Sequence, residues 1–249
     1  MKLRGILCGG LLTFALAAPA SADPITGQLN IAGGVSVSAT TINWFPTVST
    51  EGVISTTFPG TDYFADIYNP DGDPFWDADT IDLVSGVTVL PLEGFLNDFD
   101  DPIPAKYSDL SFTLTEIVIP ELSSELTICT GAELVGQSCK ITADSPFILT
   151  VTDLGVDVLF DVVGYFVDPT EGADSADNTA TGSYTANLNG MTVLGIMTTI
   201  ATGGSVSSSY SAQFNATAAP IPEPVSLALL GSGLLGIGLK ARRRRQSQS

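Results

Sequence analysis

The chain has 249 residues, with 27 acidic side chains against nine lysines and arginines and a formal net charge of −18. It contains no histidine. That excludes the Ser-His-Asp triad, the Cys-His dyad and most zinc sites, and the negative balance excludes nucleic acid as a partner unless cations intervene.

At the front, Lys2 and Arg4 precede a mostly apolar stretch, residues 6–16, and Ala20-Ser21-Ala22 supplies an A-x-A cleavage site. This is a secretory signal peptide over residues 1–22, removed by a signal peptidase. Cys8 lies too early for a lipoprotein box, so no lipid is expected there. Residues 23–219 then form one exported domain of about 200 residues, enough for a single hydrophobic core. Its basic residues are Lys106 and Lys140 alone, against 26 acidic ones, a net charge of −24. Like charge of this size keeps secreted molecules apart in solution.

Along the domain, apolar residues alternate with Ser and Thr, the period-2 sign of half-buried strands. Runs of this kind cover residues 35–39, 53–58, 110–115, 147–152, 156–162 and 205–214. Glycine and proline punctuate the gaps. Many short strands with little helical signal predict an all-β fold, an antiparallel β-sandwich or flattened barrel.

Residues 69–82 make the most acidic loop, with Asp71, Asp73, Asp77, Asp79 and Asp82 around Gly72 and two prolines. Two readings stand side by side. One is a solvated acidic turn. The other is a calcium site using Asp71, Asp73, Asp77 and Asp79, since calcium takes six to eight oxygens from flexible loops. Asp71-Gly72-Asp73 does not place its glycine as an EF-hand does, and no other cofactor is implied. Trp76 beside the loop reads as a packing anchor.

Cys129 and Cys139 remain after signal removal. Export into an oxidising compartment makes a disulfide the default, here a stapled hairpin or loop. Further on, Met191, Leu194, Met197 and Ile200 recur every third residue and Gly203-Gly204 follows as a stop, which predicts a short helix near 190–201. The β-branched Thr192, Val193, Thr198 and Thr199 argue against it.

The end of the chain carries the sharpest signal. Pro222-Glu223-Pro224 leads into 15 uncharged residues, 225–239, and then a basic stop of Lys240, Arg242, Arg243, Arg244 and Arg245. Such a run leaves water for the bilayer as a C-terminal hydrophobic helix, with its arginines held on the cytoplasmic side. At ~1.5 Å per residue it spans about 22 Å, short of the ~30 Å hydrocarbon core. A disposable sorting tail and a permanent transmembrane anchor are both compatible with this length.

The order of parts over residues 220–245 resembles the PEP-CTERM sorting signal of Gram-negative and related bacteria, and leaves residues 246–249 as a tail. The resemblance implies processing by an exosortase, transient insertion in the inner membrane, and release to the cell surface or beyond. Cys129-Thr130-Gly131, Gln137-Ser138-Cys139, residues 145–150, Gly203-Gly204-Ser205 and Ser209-Tyr210-Ser211-Ala212 resemble a recurring β-rich type of PEP-CTERM protein body. That second resemblance brings no activity and no catalytic residues. The expectation is a non-enzymatic envelope or extracellular-matrix protein of structural or adhesive role, tied to surface polysaccharide as in a biofilm. The alternative is a calcium- or carbohydrate-binding module.

Overall fold

A computed structural model describes residues 24–45, 60–65, 67, 79–86, 88–97, 99, 107, 109–170 and 178–219. The strands are β1 (Gly27–Val37), β2 (Thr41–Phe45), β3 (Asp79–Thr80), β4 (Leu83–Val84), β5 (Leu92–Asn97), β6 (Ser111–Ile117), β7 (Leu126–Ile128), β8 (Ser138–Lys140), β9 (Ile148–Val151), β10 (Gly155–Val167), β11 (Asn178–Asn189) and β12 (Val206–Ala218). One α-helix, α1 (Val193–Ala201), joins β11 to β12, and a 3-10 turn occupies Asp62–Phe64. The fold is all-β with a short helix, in line with the sequence. The run at 53–58, the hydrophobic segment 225–239 and most of the acidic loop lie outside the described residues.

The strands form one sheet in the order β3-β5-β6-β10-β11-β12-β1-β2-β4, with β7, β8 and β9 branching from β10. Pairing is antiparallel except between β7 and β8, which run parallel, so the one sheet is mixed. It curls on itself. Trp44 of β2 and Phe95 of β5 stand near opposite ends of the strand order, yet their rings meet edge to face at 6.1 Å. The outermost strands, β3 and β4, are joined by Ile81 and Asp82 alone, a reach of roughly 11 Å at most. These two residues stitch the seam. The Ile81 N–H donates to the Phe95 carbonyl at 3.1 Å, while the Asp82 carboxylate accepts from the Trp44 N–H at 2.9 Å and from Asn43 Nδ2 at 2.6 Å. Among the described residues no hydrogen-bonded strand pair closes the ring, so it is not a barrel.

The inward side chains fill the curl with aromatic rings. Phe64, Phe112, Phe166 and Phe214 are fully buried and meet at centroid distances of 4.9–6.1 Å. Rings of this size require small partners opposite. A Cβ on Gly182 would lie 2.5 Å from the Phe214 ring. Strand β11 therefore buries Ala180, Gly182 and Tyr184 in turn while exposing Thr179, Thr181 and Ser183, a pattern too weakly apolar to be read as a strand from sequence. At its start the side chain of buried Asn178 donates to the Phe166 carbonyl and accepts from its N–H, both at 2.8 Å, extending the ladder where the backbones part.

A second, smaller core lies under α1, built from the two cysteines, Leu149, Val156, Leu188, Val193, Ile196 and Val206. The objection from β-branching is answered by the hydroxyls. Thr192 caps the helix by accepting from the Gly195 N–H at 3.1 Å. Thr198 and Thr199 donate back to the carbonyls of Leu194 and Gly195 at 2.7 and 2.9 Å.

Candidate functional site

The antiparallel register places both ends of the domain together. Gly27 at the start of β1 lies beside Ala216 near the end of β12, and Asn178 lies beside Ala218. Chain entry and chain exit therefore leave from one end, here called the base. At the opposite tip stand Val37 and Val206, the β10–β11 pair Gly155 and Asn189, and α1. Thirteen-residue β12 spans the distance, about 43 Å at ~3.3 Å per residue. The last described residue is 219, so only residues 220 and 221 separate it in sequence from Pro222-Glu223-Pro224. The motif itself, with Lys240, Arg242, Arg243, Arg244 and Arg245, lies outside the described residues.

Cys129 and Cys139 are bonded at the tip, with Cα atoms 4.9 Å apart. The flanking β7 and β8 pair in parallel, with Thr127 beside Cys139. The staple therefore closes a loop and not an antiparallel hairpin, which is a correction to one of the two forms the spacing allowed. Glu133 sits inside this loop. Partial burial would raise its carboxyl, but donors from Thr130 and Gly131 outweigh that and hold it below the usual range. The Thr130 hydroxyl contributes at 2.9 Å and the Gly131 N–H at 3.0 Å. Glu133 and the two sulfurs approach one another closely enough to suggest a metal. The sulfurs, however, are joined to each other and are not thiolates, and the carboxylate is occupied by N–H and O–H donors, so this is a loop clasp. Lys140 next to it is fully buried, its Nζ donating to the Pro120 carbonyl and, at 2.7 Å, to that of Ala143. Sequence reading assigned Lys140 no role, because a lone lysine in an acidic chain carries no local sign of burial.

One expected result concerns the staple. A ring this small contributes roughly 2.5–3 kcal/mol by the loop-entropy account. Cys139→Ala should lower stability to chemical denaturation by about that amount without unfolding the larger core. The folded exported protein should also resist alkylation of both cysteines until reduced, and ready labelling of unreduced protein would contradict the bond.

Of the acidic-loop residues, Asp71, Asp73 and Asp77 lie outside the described residues, and Asp79 is placed only as backbone of β3. Asp82 is described, and both its carboxylate oxygens are engaged by β2. It serves the seam of the sheet and is not part of an open cation loop.

The broad face of β11 and β12 is distinctive. The outward residues of β11 are Thr179, Thr181, Ser183, Thr185, Asn187 and Asn189, all exposed. Those of β12 are Ser207, Ser209, Ser211, Gln213, Asn215 and Thr217, also all exposed. Every one is a hydroxyl or an amide. In a domain of net charge −24, two long adjacent strands present no charge at all. Neighbouring groups bond across the strands, as with Thr179 and Thr217 at 3.2 Å and Ser183 with Asp161 of β10 at 2.6 Å.

Comparison with known proteins agrees with the terminal reading. Residues 220–245 match the family model of the PEP-CTERM protein-sorting motif. No curated protein and no solved structure matches the chain. The motif implies an exported, exosortase-targeted protein that is transiently anchored in the membrane before surface display. Among the described residues no helix is long and apolar enough to cross a membrane; the apolar run 225–239 is not among them.

Proposed function

We propose that the mature domain is a non-catalytic surface protein that adheres to neutral polysaccharide through the outer face of β11 and β12, after an exosortase has removed the tail following Pro222-Glu223-Pro224. The observation that carries this reading is the uncharged face itself. Neutral polysaccharides are recognised by hydroxyl and amide groups, which exchange hydrogen bonds with sugar hydroxyls, whereas the carboxylates elsewhere on the domain repel acidic polymers. A sheet interior is also the stiffest place to hold such an array, since β11 and β12 each have a neighbour on both sides. The base-to-tip geometry supports it as well: a body tethered at its base leaves the long face standing clear of the membrane.

The test takes protein released from the producing cells. Mapping of its C-terminal peptide is expected to end near residues 222–225, and intact Arg242–Arg245 in the surface form would refute cleavage. The same material should sediment with neutral exopolysaccharide from those cells. A Thr181→Glu, Ser211→Glu double change is expected to weaken that sedimentation at least tenfold while leaving the melting temperature within a few degrees. Unchanged sedimentation would remove the face from the mechanism.

A further inference from the structure

The uncharged face has an apolar neighbour. Alternate residues of β10 point the same way as the outward residues of β11, since Asp157 and Asp161 meet Asn187 and Ser183 side chain to side chain at 2.9 and 2.6 Å. Further along β10 the outward residues are Val163, Tyr165 and Val167, each half-buried, while Val162, Gly164 and Phe166 between them are buried. Val163 pairs with Thr181 and Gly164 with Ala180, so Tyr165 falls beside Thr179. An apolar row about 13 Å long, at ~3.3 Å per residue, therefore runs along the edge of the hydroxyl and amide array. Tyr165 also differs from the other described tyrosines. Tyr63, Tyr107, Tyr184 and Tyr210 each pack against another ring, whereas among the described residues Tyr165 has neither a ring partner nor a hydrogen bond. A tyrosine joins an apolar ring to a polar tip, the combination found where a surface meets a partner.

We propose that this row is the second half of the polysaccharide site and that it selects a β-linked, gluco-configured polymer, a step that rests on the adhesive reading of β11 and β12. Tyr165, with Val163 and Val167 on either side, takes the apolar face of a pyranose ring. The hydroxyls of that sugar reach Thr179 and Thr181 one strand away, ~4.8 Å across the sheet. The chemistry of the row sets the sugar. A pyranose with every substituent equatorial carries its C–H bonds on its two ring faces and its hydroxyls around the rim. It can lay an apolar face on β10 and point its rim at β11. An axial hydroxyl would press an oxygen onto the apolar row and lose its hydration without a partner. An axial linkage would turn the polymer away from the straight line of the strand. Charge narrows the class to neutral sugars. Tipward the row ends at Asp161, whose carboxylate is held by Ser183, and exposed Glu116 lies beside Val163 on the β6 side. The one lysine among the described residues, Lys140, is buried and committed to backbone carbonyls. An acidic sugar on the row would therefore meet carboxylates and no counter-charge.

The experiment is affinity electrophoresis of protein released from the producing cells. One gel holds hydroxyethyl cellulose, a β-linked polymer with equatorial ring substituents. The other holds a soluble galactomannan, whose β-linked backbone carries an axial hydroxyl on each residue. The cellulose derivative is expected to bind about tenfold more tightly than the galactomannan. Tyr165→Ala should weaken binding to the cellulose derivative about tenfold, the effect of leaving roughly 50 Å² of apolar surface in water. Tyr165→Phe, which keeps the ring, should stay within about twofold of the parent. Val163→Thr, nearly the same in shape, should weaken binding about threefold. Melting temperatures within a few degrees of the parent show that the variants are folded. Equal retardation by the two polymers would overturn the proposal, as would parent-like binding by Tyr165→Ala or no retardation by hydroxyethyl cellulose. The Thr181→Glu, Ser211→Glu double change separates the two readings. If it weakens binding while Tyr165→Ala does not, the β11–β12 face stands and the β10 row falls. If neither weakens binding, both fall.

Discussion

Gly164→Val should destabilise the domain by about 4 kcal/mol or more, at the extreme of what single substitutions do. Gly164 lies inward on β10, at the point where the pairing with β6 slips by one residue. A Cβ there would stand 2.0 Å from the carbonyl oxygen of Thr113 and 2.5 Å from the Phe112 ring. The ring could turn, but the carbonyl belongs to the backbone of the neighbouring strand. Relief would mean prising β6 from β10, at the centre of the sheet and directly under Phe112, Phe166 and Phe214. Urea unfolding of the exported protein is the measurement. Thr181→Val, on the outward side of β11, is the matched control and should change stability by no more than about 0.5 kcal/mol. A Gly164→Val midpoint indistinguishable from the parent would mean that the inward packing described here is wrong.

A chain ending after Gly204 should not fold at all. β12 is the last strand in sequence but sits in the middle of the sheet, with β1 along eleven residues on one side and β11 along nine on the other. Without it the curl is split into two open pieces and the rings of Tyr210 and Phe214 leave the aromatic core. A chain ending after Ala219 should fold normally, because it keeps every described strand. Amide exchange protection across β1 and β11 reads the difference: global protection in the longer chain, none in the shorter. Protection of β1 in the shorter chain would show that the N-terminal half forms a sheet of its own.

The C-terminal end of the chain was legible because its signal is one-dimensional. Pro222-Glu223-Pro224, the run 225–239 and the arginines need no partner elsewhere, and residues 220–245 match the sorting motif. The all-β class was legible for a similar reason: period-2 alternation at 110–115, 156–162 and 205–214 is a local consequence of a pleated strand with one wet face, and those runs fall in β6, β10 and β12. The helix at Val193–Ala201 could be seen in its spacing, although its threonines obscured it until their hydroxyls were found bonding back along the helix.

β11 was hidden because Phe214 and Val162 fill the space in which its Gly182 would otherwise carry a side chain. Hydrophobicity was displaced from one strand to its neighbours, and no window along the chain can register that. The parallel run of β7 beside β8, the burial of Lys140, the use of Asp82 to hold Trp44, and the meeting of Trp44 with Phe95 all depend on pairings between distant residues. So does the apolar pocket lined by residues of β2, β10, β11, β12 and α1. That the chain carries an export-linked sorting motif and folds as β-structure can be read along the sequence alone, since charge, apolar length and alternation act locally. Only the tertiary structure decided which residues share a face and which face is free of charge, because those are set by strand order and register across the whole chain.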